Sequence, residues 1–480
     1  MSEGQNPAEE YQNPLVTRYA GKRMRALFSP LQRARTWRDL WIALAEAERD
    51  CGLDISEEQL QELRNHRDDI DLERIAELER ELRHDVMAHV HQFGEVAPLA
   101  KGILHLGATS CFITDNADLW IYREGLALLE QDLVTALHLL RDKAREYRDL
   151  PCLGATHYQP AQPVTLGKRI CLWAQDLALD LQDLRSLRQG LPFRGAKGTT
   201  GTQASFLALF GGDHAKVREL DRLVATKMGF DRILPVTGQT YPRKLDHRLL
   251  SVLSGIAQST SKFGVDFRLL SHEGEVSEPF TEKQIGSSAM AYKRNPMRSE
   301  RICSLARLVL SLAETAGATA SVQWLERSLD DSAIRRISIP EAFLGAQACL
   351  SLEQNIVQGM RVYPKMCQRH LDEQLPFLAT ESILMEGVKA GGDRQELHES
   401  IRKHAVEAAR RMKEEGIPNP LVEALEADPV FSFAKGRIQE LLDARLLVGR
   451  APQQVDEFLE EFLEPLLEGT EPSYEDQVRV

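Results

Sequence analysis

Between residues 115 and 148 the apolar positions Leu119, Leu126, Leu129, Leu133, Leu137, Leu140 and Ala144 are spaced by three, four or seven. That spacing predicts one long helix with a single apolar stripe. At 1.5 Å per residue it would span roughly 50 Å. Similar long patterns cover residues 168–189 and 244–272, a stretch after Pro296 that meets no proline until Pro340, and residues 341–362. Repeated long helices with Gly- or Pro-containing joins predict an up-and-down bundle. Some turns are small or apolar on more than one face, as at Ala313, Ala316, Gly317, Ala318 and Ala320. Such a helix must be covered on every side, so the bundle core is expected to double as an oligomer interface. No repeated strand pattern supports a Rossmann or barrel fold.

The flanks read differently. Residues 1–12 look like a disordered tail, and residues 36–96 carry shorter helical patterns rich in Leu, Glu and Arg. Beyond Tyr363-Pro364 the chain is more charged and is broken at Gly391-Gly392, Gly416 to Pro420 and Asp428-Pro429. The expected division is an N-terminal helical domain over 1–109, a central bundle over 110–362 and a C-terminal helical domain over 363–480.

Composition narrows the function. The chain has 480 residues, and 59 Lys and Arg against 72 Asp and Glu leave a net charge of -13. Nucleic acid and anionic membranes are therefore poor partners, although a few arginines can still build a local anion site. No run of about eighteen uninterrupted apolar residues predicts a membrane span. The N-terminal stretch has neither the apolar core of a signal peptide nor an Arg-rich transit pattern. Seven cysteines, odd in number and never in a CxxC pair, read as reduced thiols in a cytoplasmic protein.

Three segments carry candidate chemistry. Residues 284–300 join two long helices and hold Gly286, Ser287, Ser288, Lys293 and an Asn295-Pro296 pair. There Asn295 is expected to cap the next helix, with Pro296 in its first turn. A serine on this loop could act as nucleophile or base, with Lys293 and the helix N-terminus stabilising negative charge. Alternatively the segment is a plain polar connector. In Thr156-His157-Tyr158-Gln159 a histidine able to exchange a proton precedes a long helix; a lone histidine can equally be structural. Arg83-His84-Asp85, with His89 and His91, tempts a metal reading, but the spacings of five and two do not stack on a helix face, so no metal is expected. Arg194-Gly-Ala-Lys-Gly-Thr-Thr-Gly-Thr202 lacks the order of a P-loop.

Taken together, Gly286-Ser-Ser-Ala-Met-Ala-Tyr-Lys-Arg-Asn-Pro296 resembles the fumarase/aspartase superfamily signature G-S-S-x-M-x-x-K-x-N-P. Arg18-Tyr19, Arg83-His-Asp-Val-Met-Ala-His89, His105 to Ser110, Thr156 to Gln162, Lys197 to Gln203 and the stretch from Ser321 to Arg336 are similar to its adenylosuccinate-cleaving branch. The likeness runs from about residue 11 to 460. One departure stands out, Ala291 where the signature usually has proline, which frees a backbone N–H and bears on loop closure.

The resemblance implies an all-α, three-domain fold whose long helices assemble into a multi-helix core in a homotetramer, each site built from three chains. It implies an anti β-elimination releasing fumarate from adenylosuccinate, giving AMP, and from SAICAR, giving AICAR, with no cofactor. Ser287 would be the base, with Ser288 the adjacent alternative, and His157 the acid, held by Glu300; Lys293 and His84 complete the catalytic set. Thr109, Ser110, Thr156, Lys293 and Asn295 would hold the succinyl carboxylates. Arg18, Tyr19, Arg327, Ser332 and Arg336 would hold the 5′-phosphate, and Arg83, His84, Asp85 and Gln239 the nucleotide, with Arg301 also at the substrate. A sister lyase acting on argininosuccinate, fumarate or aspartate, or a catalytically silent crystallin-like scaffold, remains as the alternative.

Overall fold

The computed structural model describes residues 9–281, 284, 286–290, 292–434 and 438–474. Most of the expected N-terminal tail and Ala291 lie outside the described residues. Helices dominate. The first part contains α1 (Pro30–Asp50), α2 (Leu72–Leu82) and α3 (Asp85–Val96). Then follow α4 (Ser110–Glu146), a hairpin of β1 (Pro151–Thr156) and β2 (Gln159–Thr165), and α5 (Leu166–Gly190). The body is completed by α6 (His214–Lys227), α7 (Lys244–His272), α8 (Met297–Ser321), α9 (Asp331–Gly359) and α10 (Pro364–Leu378).

The long helices form because their apolar positions meet one another. Every residue of the stripe expected on α4, from Leu119 to Ala144, is fully buried. The Thr165 hydroxyl starts α5 by accepting from the Lys168 N–H at 3.2 Å. Helices α4 and α9 approach so closely that a Cβ on Gly125 would lie 2.7 Å from the Phe343 ring. One buried apolar cluster spans Leu15 to Cys367 and takes in Val455–Leu467; a second, from Ala379 to Ile438, forms its own core. All seven cysteines are free and buried.

Two local expectations fail. Helix α9 starts at Asp331 and runs through Pro340 instead of beginning after it. The proline ring removes the N–H that would bond the Arg336 carbonyl, yet packing of Ile339, Ala342 and Phe343 into the core carries the helix across the gap. The hairpin at residues 151–165 has no counterpart among the predicted elements. It is a two-residue turn on prolyl strands with little apolar alternation.

The body also buries acids without partners. Both carboxylate oxygens of Glu48 on α1, and of Glu353 on α9, lack a hydrogen bond. Burial pushes the Glu48 carboxyl from its ordinary 4.5 to about 9. Between those values the folded chain holds a proton that the unfolded chain has released, so stability is highest below about 4.5 and falls as pH rises. Glu48→Met should raise the thermal midpoint by several degrees at pH 8 and by less at pH 5. Equal gains at both values would show that Glu48 carries no folded-state proton.

Candidate active site

A cavity of about 430 Å³ opens between the start of α1, the N-termini of α3 and α4, the approach to α7 and the first turns of α9. His84, Asp85, Ser110, Gln239, Arg327, Ser332 and Arg336, far apart in the chain, all line it. His84 sits at the N-cap of α3, where its Nδ1 accepts from the Met87 N–H at 3.3 Å. Its Nε2 lies 3.3 Å from the Ser110 hydroxyl. Ser110 opens the 37-residue α4, whose N-terminus favours an anion in the cavity. Thr109 precedes it, its hydroxyl accepting from the Gln239 amide at 3.4 Å.

Beneath these groups lies an ionic network that sequence reasoning missed. Arg243 is inserted between Asp115, at 3.2 Å, and Asp331, at 2.5 Å; all three are buried. Burial alone would push the Asp115 carboxyl up, but the guanidiniums of Arg243, Arg335 and Arg194 outweigh it and hold the group below its ordinary range. Arg335 bridges Asp246 at 2.7 Å and Asp118 at 3.0 Å and also donates to the Tyr241 hydroxyl. The network orients the binding arginines: Arg327 donates to both oxygens of Asp331, at 3.0 and 3.1 Å, and Arg336 to Asp85 at 3.2 Å. Doublets such as Asp330-Asp331 and Arg335-Arg336 were the visible signal. Nothing marked Arg33, which lines the same cavity, lies over the Trp37 ring at 5.5 Å and has no carboxylate partner among the described residues.

The other predicted residues lie elsewhere. Arg18 and Tyr19 close a short turn, Leu15–Tyr19, docked on α9 through the Asn13 contact to Glu341 and the Gly21 contact to Gln347. Arg83 ends α2 in a left-handed conformation, exposed. Thr156 and His157 are exposed at the hairpin tip, and His157 makes no hydrogen bond to any described residue. Glu300 and Arg301 lie in the first turns of α8, Glu300 exposed, and no contact joins Glu300 to His157 within this chain.

The described residues of the signature loop have a definite geometry. The Ser287 Oγ accepts from two backbone N–H groups, Ala289 at 3.3 Å and Met290 at 3.1 Å, whereas Ser288 is exposed and accepts from none among the described residues. Its two arms pinch together: a Cβ on Gly286 would lie 2.1 Å from the Lys293 carbonyl, and the Asn295 amide donates to the Gly286 carbonyl at 3.0 Å. The expected Asn295 cap is therefore wrong. Helix α8 begins at Met297 after Pro296, and the buried carboxylate of Glu278 caps it by accepting from the Arg298 and Ser299 N–H groups at 3.0 and 2.7 Å. Proline in the N-cap position and a cap from twenty residues upstream explain why local spacing misled.

The metal and P-loop readings find no support. His89 packs on the Trp37 ring at 4.6 Å, and burial lowers its imidazole to about 4. Among the described residues no group of three His, Cys, Asp or Glu is placed to hold an ion. Lys197 is buried against Asp221, and Arg194 donates to the Gly195 and Gly198 carbonyls.

Known proteins share this architecture. Residues 27–310 match the family model described as Lyase, and residues 376–458 the model described as Adenylosuccinate lyase C-terminus. The 3-carboxy-cis,cis-muconate lactonizing enzyme from Pseudomonas putida superposes with a TM-score of 0.82 at 25% identity, over 95% of this chain and 100% of that one. A fumarate lyase from Mesorhizobium sp. BNC1 superposes with a TM-score of 0.79 at 24% identity, over 96% and 100%. Helical bundle, signature loop and family match define a lyase of the fumarase/aspartase superfamily. The chain is 50% identical over 461 residues to an adenylosuccinate lyase from Schistosoma mansoni, covering 96% of each chain. To an adenylosuccinate lyase from Saccharomyces cerevisiae it is 51% identical over 455 residues, covering 94% of each. It belongs to the adenylosuccinate lyase family.

Proposed function

We propose that this lyase releases fumarate from adenylosuccinate, leaving AMP, and from SAICAR, leaving AICAR, in the cytoplasm and as a homotetramer. The observation that carries the reading is the single cavity in which His84, Asp85, Ser110, Gln239, Arg327, Ser332 and Arg336 converge, in a chain half identical to relatives of that name. In the reaction Ser287, as alkoxide, takes the proton from the carbon beside a succinyl carboxylate, leaving an aci-carboxylate. The C–N electron pair then departs with the nitrogen, which takes a proton from His157, and the carbon chain leaves as fumarate. Two N–H donors at the Ser287 oxygen favour a negative charge there, as an oxyanion hole does, which supports Ser287 as the base. Lys293 and the α8 N-terminus add positive charge, and Glu300 from another chain steadies His157.

The oligomer is part of the reading because His157, Ser287 and Glu300 lie outside the cavity of their own chain. Helix α8 supports it: long and apolar enough by composition to cross a bilayer, it has only 39% of its most apolar window buried within the chain. A second copy would cover that face.

Incubation of the purified protein with adenylosuccinate, SAICAR and argininosuccinate, following fumarate, tests the assignment; no turnover of the first two overturns it. Arg336 is 62% exposed, so replacing it should leave the fold intact. Arg336→Gln should raise KM for adenylosuccinate by roughly ten- to a hundredfold, the worth of a charge-assisted contact. The dephosphorylated substrate should be unaffected; equal changes for both would place the phosphate elsewhere.

A further inference from the structure

The tip of the hairpin is an unusual turn. His157 and Tyr158, the two residues between paired Thr156 and Gln159, have φ of 54° and 56°. Both therefore adopt the left-handed geometry of a type I′ turn, which normally takes Asn and Gly. Bulky side chains stay there only when surrounding contacts hold them.

Tyr158, although 53% exposed, has one such contact. The Tyr158 hydroxyl donates to Glu273, the residue that ends α7, at 3.2 Å. Burial and then the Glu273 carboxylate push the phenol above its ordinary range, so it is a donor. His370 of α10 lies between two carboxylates, 3.8 Å from Glu273 and 2.9 Å from the buried Glu275. Arg169 of α5 is 3.7 Å from Glu275 and donates to the Leu153 carbonyl of β1 at 2.8 Å. The chain of contacts thus leaves the hairpin at its tip and returns to it at its base.

We infer that Tyr158 is a positioning residue: tethered to Glu273, it holds the left-handed turn that aims the His157 imidazole at the substrate nitrogen of a neighbouring subunit. The inference rests on the proposed role of His157 as the acid. His370 and Arg169 brace the Glu273–Glu275 segment that receives the tether.

Tyr158→Phe keeps the ring and deletes only the tether. It should lower kcat by roughly ten- to a hundredfold with KM within about twofold, as expected when a reacting group is misaimed without loss of binding. Glu273→Ala should match it, whereas Glu273→Gln, which retains an acceptor oxygen, should recover most of the rate. In a His157→Ala background, Tyr158→Phe should have no further effect, an outcome that general weakening of the fold would not give. Normal kcat in Tyr158→Phe beside a crippled His157→Ala, or an undiminished loss in the double variant, overturns the tether alone. Full activity in His157→Ala overturns the tether together with the reading beneath it.

Discussion

His157→Ala is expected to lower turnover of adenylosuccinate by roughly two to four orders of magnitude, the usual contribution of a positioned acid. The exposed imidazole makes no hydrogen bond to any described residue of its own chain, so its removal should leave the subunit's fold intact. Ser287→Ala should be as damaging, because it removes the oxygen on which the Ala289 and Met290 N–H groups converge. Ser288→Ala, which leaves the Ala289 and Met290 N–H groups on Ser287, should stay much closer to the parent rate. Fumarate release at saturating substrate measures all three. A His157→Ala enzyme at near-normal kcat would refute the acid, and a Ser288→Ala loss exceeding that of Ser287→Ala would exchange the two serines.

Breaking the buried network should act on stability. Arg243→Met leaves the buried carboxylates of Asp115 and Asp331 facing each other without their shared cation at the floor of the cavity. Removing one partner of a buried ion pair costs about 3–5 kcal/mol, mostly the desolvation of the charge left behind. The predicted signature is a large drop in thermal midpoint together with lost activity, since Arg327 depends on Asp331 for its orientation. A midpoint within a degree of the parent would mean that the two acids find other compensation. Replacing the exposed Arg336 should by contrast leave the midpoint unchanged.

Much of this architecture is legible in the residue pattern. The helix over 244–272 follows its apolar period to both ends, and the stripe on α4 is buried as its spacing requires, because long amphipathic periods leave few alternatives. The hairpin escaped because its strands, with Pro151, Pro160 and Pro163, lack alternation and its turn breaks the usual Asn-Gly preference. The Arg243 network escaped for another reason: Asp115, Arg243 and Asp331 are each unremarkable, and only the meeting of α4, α9 and the start of α7 makes them neighbours. The Asn295 cap failed because the first helical N–H groups, of Arg298 and Ser299, are taken by the carboxylate of Glu278, distant in sequence.

Pro340 has a mechanical consequence. By severing one rung of the hydrogen-bond ladder just past Arg336, it divides α9 into a short grip, bearing Ser332, Arg335 and Arg336, and a long shaft locked into the bundle. The Arg336 carbonyl is left without its usual i+4 donor at the junction, so ligand-binding side chains and bundle packing are carried by separate pieces of one continuous helix.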